Sequence, residues 1–266
     1  MGDCNHNCES CDQKDCSSRD LRFKPHANTK IKQTIGIVSA KGGVGKSLIT
    51  SLLAIKKSRE NKKVAILDAD VTGPSIPKSF SLKLPLSSDG GNTIYPAIST
   101  HEIKIVSASC LLEDNTEPIL WRGPVISSLI RQFYCDVDYG ELDYLFIDMP
   151  PGTGDVSLTV FQSLNVDGII IVTTPQDLVT EIVSKAIEMA NKMNIKILGV
   201  VENMSYIECP NCKEQIFIFG KSHLEDLAKK YNLKILGRLP IDPEITKYID
   251  EGKIEEIPDK YLKINF

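Results

Sequence analysis

Residues 35–47 read Ile35-Gly-Ile-Val-Ser-Ala-Lys-Gly-Gly-Val-Gly-Lys-Ser47. A short apolar run leads into a glycine-rich turn and then into a helical pattern, which is the strand–loop–helix order of a phosphate-binding loop. Glycines without a Cβ let backbone N–H groups approach an anion, and the N-terminus of the following helix points its dipole at the same place. The predicted nucleotide-binding residues of this loop are Gly42, Gly43, Val44, Gly45, Lys46 and Ser47.

Two side chains give this loop its chemistry. Lys46 brings a mobile positive charge to the β and γ phosphates of a nucleotide, and Ser47 offers a hydroxyl to Mg²⁺. The general pattern G-x-x-x-x-G-K-[ST] begins with glycine, whereas this chain has Ala40 there. The flanking strand and helix patterns nevertheless favour a nucleotide loop over an ordinary glycine-rich turn.

Composition and charge narrow the classes of protein. The chain has 266 residues, of which 31 are basic and 35 acidic, for a net charge of -4. This balance gives no electrostatic reason to expect nucleic acid or an anionic membrane as a partner. No run approaches the roughly 20 apolar residues of a membrane span, and the polar N-terminus does not resemble a signal peptide. We therefore expect a cytoplasmic protein.

From Thr34 onwards, short runs of Ile, Val and Leu alternate with helical patterns. Near-continuous apolar strands separated by helices are typical of a parallel sheet that is buried on both faces. We predict an α/β fold over residues 34–266: doubly wound, with a mostly parallel sheet and helices on both faces. Residues 1–33 are polar and lack apolar periodicity, so a flexible, cysteine-rich head and linker is expected there.

Acidic residues end two of the predicted strands. Asp68 and Asp70 follow one apolar run, and carboxylates at i and i+2 leave a strand on the same side. Asp148 ends another run and precedes a stiff Pro-Pro-Gly-Thr-Gly-Asp segment, residues 150–155, whose glycine N–H groups could sense a γ-phosphate. Beside a phosphate loop, such acids can serve Mg²⁺ and orient an attacking water, although alone each could equally cap a turn.

Asn203 follows a further predicted strand. Its side-chain amide has a donor and acceptors suited to an adenine edge, although asparagine at a strand end is usually a turn residue. The chain lacks the N-K-x-D guanine signature at this point, so ATP is favoured over GTP.

The segment Cys209-Pro-Asn-Cys212 has a spacing that lets two thiolates bind one metal ion or one edge of a cluster. Two thiolates do not complete a four-ligand site, so the others must come from the N-terminal head or from a second subunit. A two-fold homodimer would bring four sulfurs together at its axis. A structural zinc site is the alternative.

The head contains four cysteines within thirteen residues, Cys4, Cys8, Cys11 and Cys16. In a reducing compartment such clustering favours metal binding over disulfides. Four thiolates suit either zinc or a [4Fe–4S] cluster, and spacing alone does not decide between them. Cys110 and Cys135 lie in apolar surroundings and are expected to be buried thiols.

The string Lys41-Gly-Gly-Val-Gly-Lys-Ser47 resembles the deviant Walker A loop of the MinD, ParA and nitrogenase-iron-protein group of ATPases. In that group the extra lysine, here Lys41, reaches across a dimer to the nucleotide of the other subunit. The resemblance therefore implies a homodimer that sandwiches nucleotide.

The order of the motifs is more specific than any one of them. The loop, the Asp-Ala-Asp-Val-Thr-Gly-Pro-Ser-Ile-Pro stretch at 68–77, the segment at 150–155 and the Cys-Pro-Asn-Cys loop together are similar to the Mrp/Nbp/ApbC family of P-loop ATPases, which carry iron–sulfur clusters. The resemblance covers about residues 34–250, and the head is similar to the N-terminal cluster domain of the Nbp-type members.

This resemblance implies roles for individual residues. Lys41, Lys46 and Asp70 would serve catalysis, with Asp70 positioning or activating water, while Asp68 and Asp148 would lie near the metal. The cysteines of the Cys-Pro-Asn-Cys loop would hold a labile [4Fe–4S] cluster across a homodimer. A slow ATPase that transfers clusters to apo iron–sulfur proteins is then expected.

Two other functions share these features. A reductase like the nitrogenase iron protein would use hydrolysis to gate electron transfer from the shared cluster. A MinD/ParA-type positioning ATPase would carry structural zinc. Against the latter, the tail at 255–266 contains a proline and lacks a strong basic face for a membrane, and the lysine-rich run at 56–63 is typical of a solvated helix face.

Overall fold

A computed structural model describes residues 22–70, 75–82, 86–91, 93–111, 123–152, 154–176, 179–220 and 222–266. The four head cysteines, Cys4, Cys8, Cys11 and Cys16, lie outside these described residues. The strands are β1 (Lys30–Ser39), β2 (Val64–Asp68), β3 (Ser87–Ser88), β4 (Ile94–Tyr95), β5 (Ala97–Ile98), β6 (Lys104–Ser107), β7 (Glu141–Asp148), β8 (Gly168–Thr173), β9 (Ile197–Glu202), β10 (Ile207–Glu208), β11 (Gln215–Ile216) and β12 (Ile235–Arg238).

The helices connect these strands. They are α1 (Lys46–Arg59), α2 (Ile76–Ser79), α3 (Gly123–Cys135), α4 (Asp155–Ser163), α5 (Val179–Lys192), α6 (Leu224–Tyr231) and α7 (Pro243–Asp250). Short 3-10 turns occupy Ala108–Leu111, Ile254–Glu256 and Asp259–Tyr261. In the part of the chain that the structure describes, no helix combines the length and the apolar character needed to cross a bilayer.

The main sheet has eight strands in the order β12-β9-β8-β1-β7-β2-β6-β5. Neighbouring strands run parallel except β5, which pairs antiparallel with β6 at the edge. The carboxyl ends of β1, β2 and β7 therefore meet at one edge of the sheet, because β7 lies between the other two. The prediction of a mostly parallel, doubly wound sheet is confirmed.

Apolar side chains fill both faces of this sheet. Every residue of β2 is buried, and successive side chains point to opposite faces, so Ile66 and Leu67 belong to two separate core clusters. All six residues of β8 are buried in the same way. Because a fully buried Ile or Leu contributes about 1.5–3 kcal/mol, these central strands form a firm support for the loops at their ends.

The first strand begins earlier than its apolar run. Residues 30–33, which the sequence assigned to the head and linker, belong to β1 and pair with β7, with Lys30 opposite Glu141. Three of these four residues are polar and exposed, and only Ile31 is half-buried, since the backbone pairing does not require apolar side chains. The boundary expected after residue 33 therefore falls inside a strand.

A helix and a hairpin near the site were not predicted. Asp242 caps the N-terminus of helix α7: its carboxylate accepts a hydrogen bond from the Glu244 N–H at 2.9 Å, and Pro243 is the first residue of the helix. The strands β10 and β11 form a small antiparallel hairpin, with Ile207 opposite Ile216, that contains the Cys-Pro-Asn-Cys segment.

Candidate functional site

The glycine-rich loop joins the end of β1 to the start of α1. Gly45 caps the helix in the left-handed conformation, with φ of 84°, and Gly43 has φ of 78°. A Cβ on Gly45 would lie 2.2 Å from Nδ2 of Asn203, and that amide donates a hydrogen bond to the Val44 carbonyl at 3.0 Å. Only glycine fits at position 45, and the loop rests directly on Asn203.

Lys46 is the buried cation of the site. Its side chain is 6% exposed, and Nζ lies 2.8 Å from Oδ2 of Asp148 and 3.4 Å from Oδ2 of Asp70. The lysine thus compensates the charge of acids contributed by two different strand ends. A nucleotide phosphate would draw the same ammonium group out of this ion-pair network.

Asp148, at the end of β7, is fully buried and accepts hydrogen bonds from two side chains of α1. Ser47 Oγ donates to Oδ2 at 2.6 Å, and Thr50 Oγ1 donates to Oδ1 at 2.8 Å. The carboxylate therefore fixes the hydroxyl that was predicted to face Mg²⁺. Thr50 was not predicted as a site residue, although its position three residues after Ser47 places both on one face of the helix.

Asp68 is engaged on both of its oxygens. Oδ1 accepts from the Asp70 N–H at 3.1 Å, and Oδ2 accepts from Ser107 Oγ at 2.9 Å. Burial, and after it the neighbouring Asp148 carboxylate, raises the pKa of Asp68 to about 8, against the opposing effect of Lys46. Asp68 thus holds Asp70 in position, and Ser107 is a further contributor that the sequence did not indicate.

Two adjoining cavities meet at Gly45. The first, of about 350 Å³, includes the glycine loop, Lys46, Ser47, Asp70 and Pro151 in its lining. The second, of about 810 Å³, is mainly apolar and is lined in part by Leu48, Asn203, Met204, Pro240 and Ile241. The polar cavity suits phosphates and the apolar one suits a base and sugar. Asn203 lies where they join, but its Nδ2 is already used by the loop.

The segment after β7 closes over the same edge. The Gly152 N–H donates to the Ser39 carbonyl at 2.8 Å, and Gly152 has φ of 86°. Pro151 lines the polar cavity. The turn is therefore tied to the end of β1, next to the position where a terminal phosphate would lie; Thr153 falls outside the described residues.

Lys41 is exposed at the start of the loop. Its Nζ donates to Oε1 of Gln176 at 3.2 Å within the same chain. Its reach toward a second subunit stays a prediction.

The cysteine hairpin, residues 206–220, follows β9 and contains β10 and β11. The Cys209 N–H donates to the Glu214 carbonyl at 2.9 Å, and the Lys213 N–H donates to the Cys209 carbonyl at 2.9 Å. The backbone N–H groups of Cys212 and Asn211 lower the pKa of the Cys209 thiol, because they stabilise the thiolate. Cys209 is half-buried and Cys212 is exposed, so both sulfurs lie near the surface.

The hairpin does not complete a metal site within the described residues. Among them, no group of three or more His, Cys, Asp and Glu side chains is arranged so that it could hold a metal ion. Burial raises the pKa of Cys110 to about 11, and it raises the pKa of Cys135 above its ordinary value, so both remain thiols. Cys110 is buried as expected, whereas Cys135, at the end of α3, is only half-buried. Beyond the cysteines, the strip Ile216–Phe219 exposes apolar side chains to solvent.

The parallel sheet, the glycine loop between β1 and α1, and the acids ending β2 and β7 define a P-loop NTPase. The chain belongs to the ParA family, described as NUBPL iron-transfer P-loop NTPases, whose model matches residues 30–264. This confirms the family that the motifs indicated.

Individual relatives agree with this assignment. The iron-sulfur cluster carrier protein of Clostridium perfringens is 41% identical over 266 residues, covering 94% of this chain and 93% of that protein. The cytosolic Fe-S cluster assembly factor nubp2 of Danio rerio is 44% identical, covering 84% and 86%. A nucleotide-binding protein from Archaeoglobus fulgidus, solved in complex with ADP, is 43% identical with a TM-score of 0.75, covering 86% and 90%.

Proposed function

We propose that this chain is an ATP-hydrolysing carrier that assembles [4Fe–4S] clusters and transfers them to apo-proteins. The observation that carries the proposal is that Asn203, on which the glycine loop rests, leads directly into the cysteine hairpin. The cargo is the one named for the carrier and assembly-factor relatives.

The nucleotide chemistry follows from the site. Lys46 moves from Asp148 and Asp70 to the β and γ phosphates, where its charge offsets theirs. The hydroxyl and carboxylate oxygens of Ser47 and Asp148 are of the kind that Mg²⁺ prefers, and these residues would hold the ion directly or through water. When bound, Mg²⁺ neutralises charge on the phosphates. Asp70, held by Asp68, orients the attacking water.

The cargo binds at Cys209 and Cys212. Thiolates are the ligand form for iron–sulfur clusters, and the lowered pKa of Cys209 favours that form. A homodimer whose two hairpins meet at a two-fold axis supplies the four sulfurs that one chain lacks. The exposed strip Ile216–Phe219 supports this arrangement, because apolar surface beside the cysteines would be covered there.

The head cysteines, Cys4, Cys8, Cys11 and Cys16, are proposed to hold a second cluster, with zinc as the alternative. A cytoplasmic location is proposed as well, since the relative from Danio rerio is named a cytosolic factor. The recipients are apo iron–sulfur proteins, and neither nucleic acid nor membrane is required.

The decisive experiment compares Cys209→Ala with Cys135→Ala after anaerobic reconstitution with iron and sulfide. Because four irons are shared by two chains, Cys209→Ala should lose about two iron atoms per chain, together with transfer to an apo [4Fe–4S] enzyme. ATP binding should persist. Cys135→Ala, the same change at a half-buried thiol, should keep its iron content and its transfer activity.

Zinc without sulfide at the hairpin, or full iron content in Cys209→Ala, contradicts the proposal. Reversible redox cycling with ATP, without loss of iron to the recipient, would favour the reductase instead.

A further inference from the structure

Glu202 ends β9 and is buried, with 1% of its surface exposed. Its carboxylate contacts a serine at each end of the cysteine hairpin. Ser205 Oγ donates to Oε1 at 2.6 Å, and Ser222 Oγ donates to Oε2. A single side chain thereby closes the base of the hairpin that follows it.

The buried charge is compensated from the neighbouring strand. Arg238, at the end of β12, places Nε 3.4 Å from Oε1 of Glu202 and also pairs with Glu225 on α6. Because the carboxylate is paired and hydrogen-bonded on both oxygens, it holds the two serines in one defined arrangement.

The next residue faces the nucleotide loop. Asn203 donates to the Val44 carbonyl and occupies the space beside Gly45, and its own N–H donates to the Thr173 carbonyl at 2.8 Å. On the other side, the Leu239 N–H donates to the Glu202 carbonyl at 2.9 Å. The backbone of residues 202 and 203 is thus held between neighbouring strands. The Glu202 side chain contacts the base of the cysteine hairpin, and the Asn203 side chain contacts the glycine loop.

We propose that Glu202 is a positioning residue that transmits nucleotide binding to the cysteine hairpin. A phosphate that shifts the loop at Val44 and Gly45 moves the Asn203 amide, and the adjoining Glu202 carboxylate passes this displacement to Ser205 and Ser222. The proposal rests on the proposed function for the identity of the cargo, but the coupling itself requires only nucleotide.

The test measures hydrogen–deuterium exchange of peptides from the hairpin, in the full chain without iron, with and without Mg²⁺ and a non-hydrolysable ATP analogue. In the wild type, the analogue should change hairpin exchange by about fivefold or more, the lower range of measured allosteric couplings. Glu202→Gln keeps the size of the side chain but loses its charge. In this variant, the ratio of hairpin exchange rates without and with the analogue should fall to about one. Its affinity for the analogue, measured by calorimetry, should stay within about threefold of the wild-type value.

Glu225→Gln is the matched control, because it removes a carboxylate from the same arginine without touching either serine. It should keep the wild-type ratio. Ser222→Ala removes one of the two serine contacts of Glu202 and leaves the carboxylate in place, so it should give an intermediate ratio. If Glu202→Gln does not fold, Ser222→Ala replaces it as the test.

A hairpin that does not respond to the analogue in the wild type overturns the proposal, as does a full response in Glu202→Gln or in Ser222→Ala. These outcomes are distinct from failure of the proposed function, because iron content and cluster transfer are not measured here. A chain that binds no cluster could still show the coupling, and a cluster carrier could lack it.

Discussion

Gly45 is the residue at which the nucleotide loop and the support behind it meet. Its φ of 84° favours glycine, and a Cβ would overlap the Asn203 amide at 2.2 Å. Gly45→Ala should lower the free energy of unfolding by about 1–3 kcal/mol, because it adds backbone strain and displaces Asn203. Urea unfolding followed by circular dichroism measures this.

Gly42→Ala is the control in the same loop, since a Cβ there meets nothing within 4 Å. Its free energy of unfolding should stay within about 0.5 kcal/mol of the wild type. An equal loss in the free energy of unfolding in both variants would show that the contact between position 45 and Asn203 does not determine stability.

Asp68 predicts a pH dependence of stability. Its pKa is raised from 3.8 to about 8 in the folded chain, so between these values the folded state binds a proton that the unfolded state has released. The contribution of this group to stability is therefore lost as pH rises toward 8, by up to about 1.4 kcal/mol per pH unit. Asp68→Asn should flatten this dependence between pH 5 and 8 in denaturant titrations.

Glu188, an exposed carboxylate on α5, provides the comparison. Glu188→Gln should leave the slope of stability against pH unchanged. A slope in Asp68→Asn that matches the wild type would mean that other groups cause the dependence.

At the scale of elements, apolar periodicity predicted most of the central sheet. The sequence pattern predicts a helix over Lys46–Arg59 and a strand over Lys104–Ser107, and α1 and β6 have these bounds. The hairpin strands β10 and β11 were missed because each is two residues long and, apart from the half-buried Ile207, their side chains are exposed. Helix α7 was missed although Asp242 and Pro243 form a recognisable start signal.

The site was predictable where its residues lie in motifs. The glycine loop, Lys46, Ser47, Asp70 and Asp148 were named from the sequence, and the structure brings them together. Ser107 was not, because it becomes a neighbour of Asp68 only through the pairing of β2 with β6, which the strand order determines. Glu202 was not named either, because its partners Ser205 and Ser222 lie on opposite sides of the cysteine hairpin in the sequence.

At the scale of the whole molecule, Lys41 is the residue through which the proposed homodimer can be tested. Lys41 is exposed and held by Gln176 within its own chain. If it reaches a nucleotide in a second subunit, Lys41→Ala should bind the ATP analogue but remain a monomer, whereas the wild type dimerises with it. Sedimentation velocity with the analogue measures the expected loss of dimer, about tenfold or more in association constant.

Lys62→Ala is a suitable control because this exposed lysine precedes β2, at the amino edge of the sheet, away from the nucleotide cavity. It should dimerise as the wild type does. Dimers of equal stability in the absence of Lys41 would rule out its contribution across the interface.

The strands of the cysteine hairpin pair with each other and not with the eight-stranded sheet. The hairpin is therefore structurally separate from the main sheet, so its sequence and length between Ser205 and Ser222 can change without altering any strand of that sheet. A different cargo could be accommodated on the same nucleotide-binding domain by replacing about a dozen residues of this hairpin.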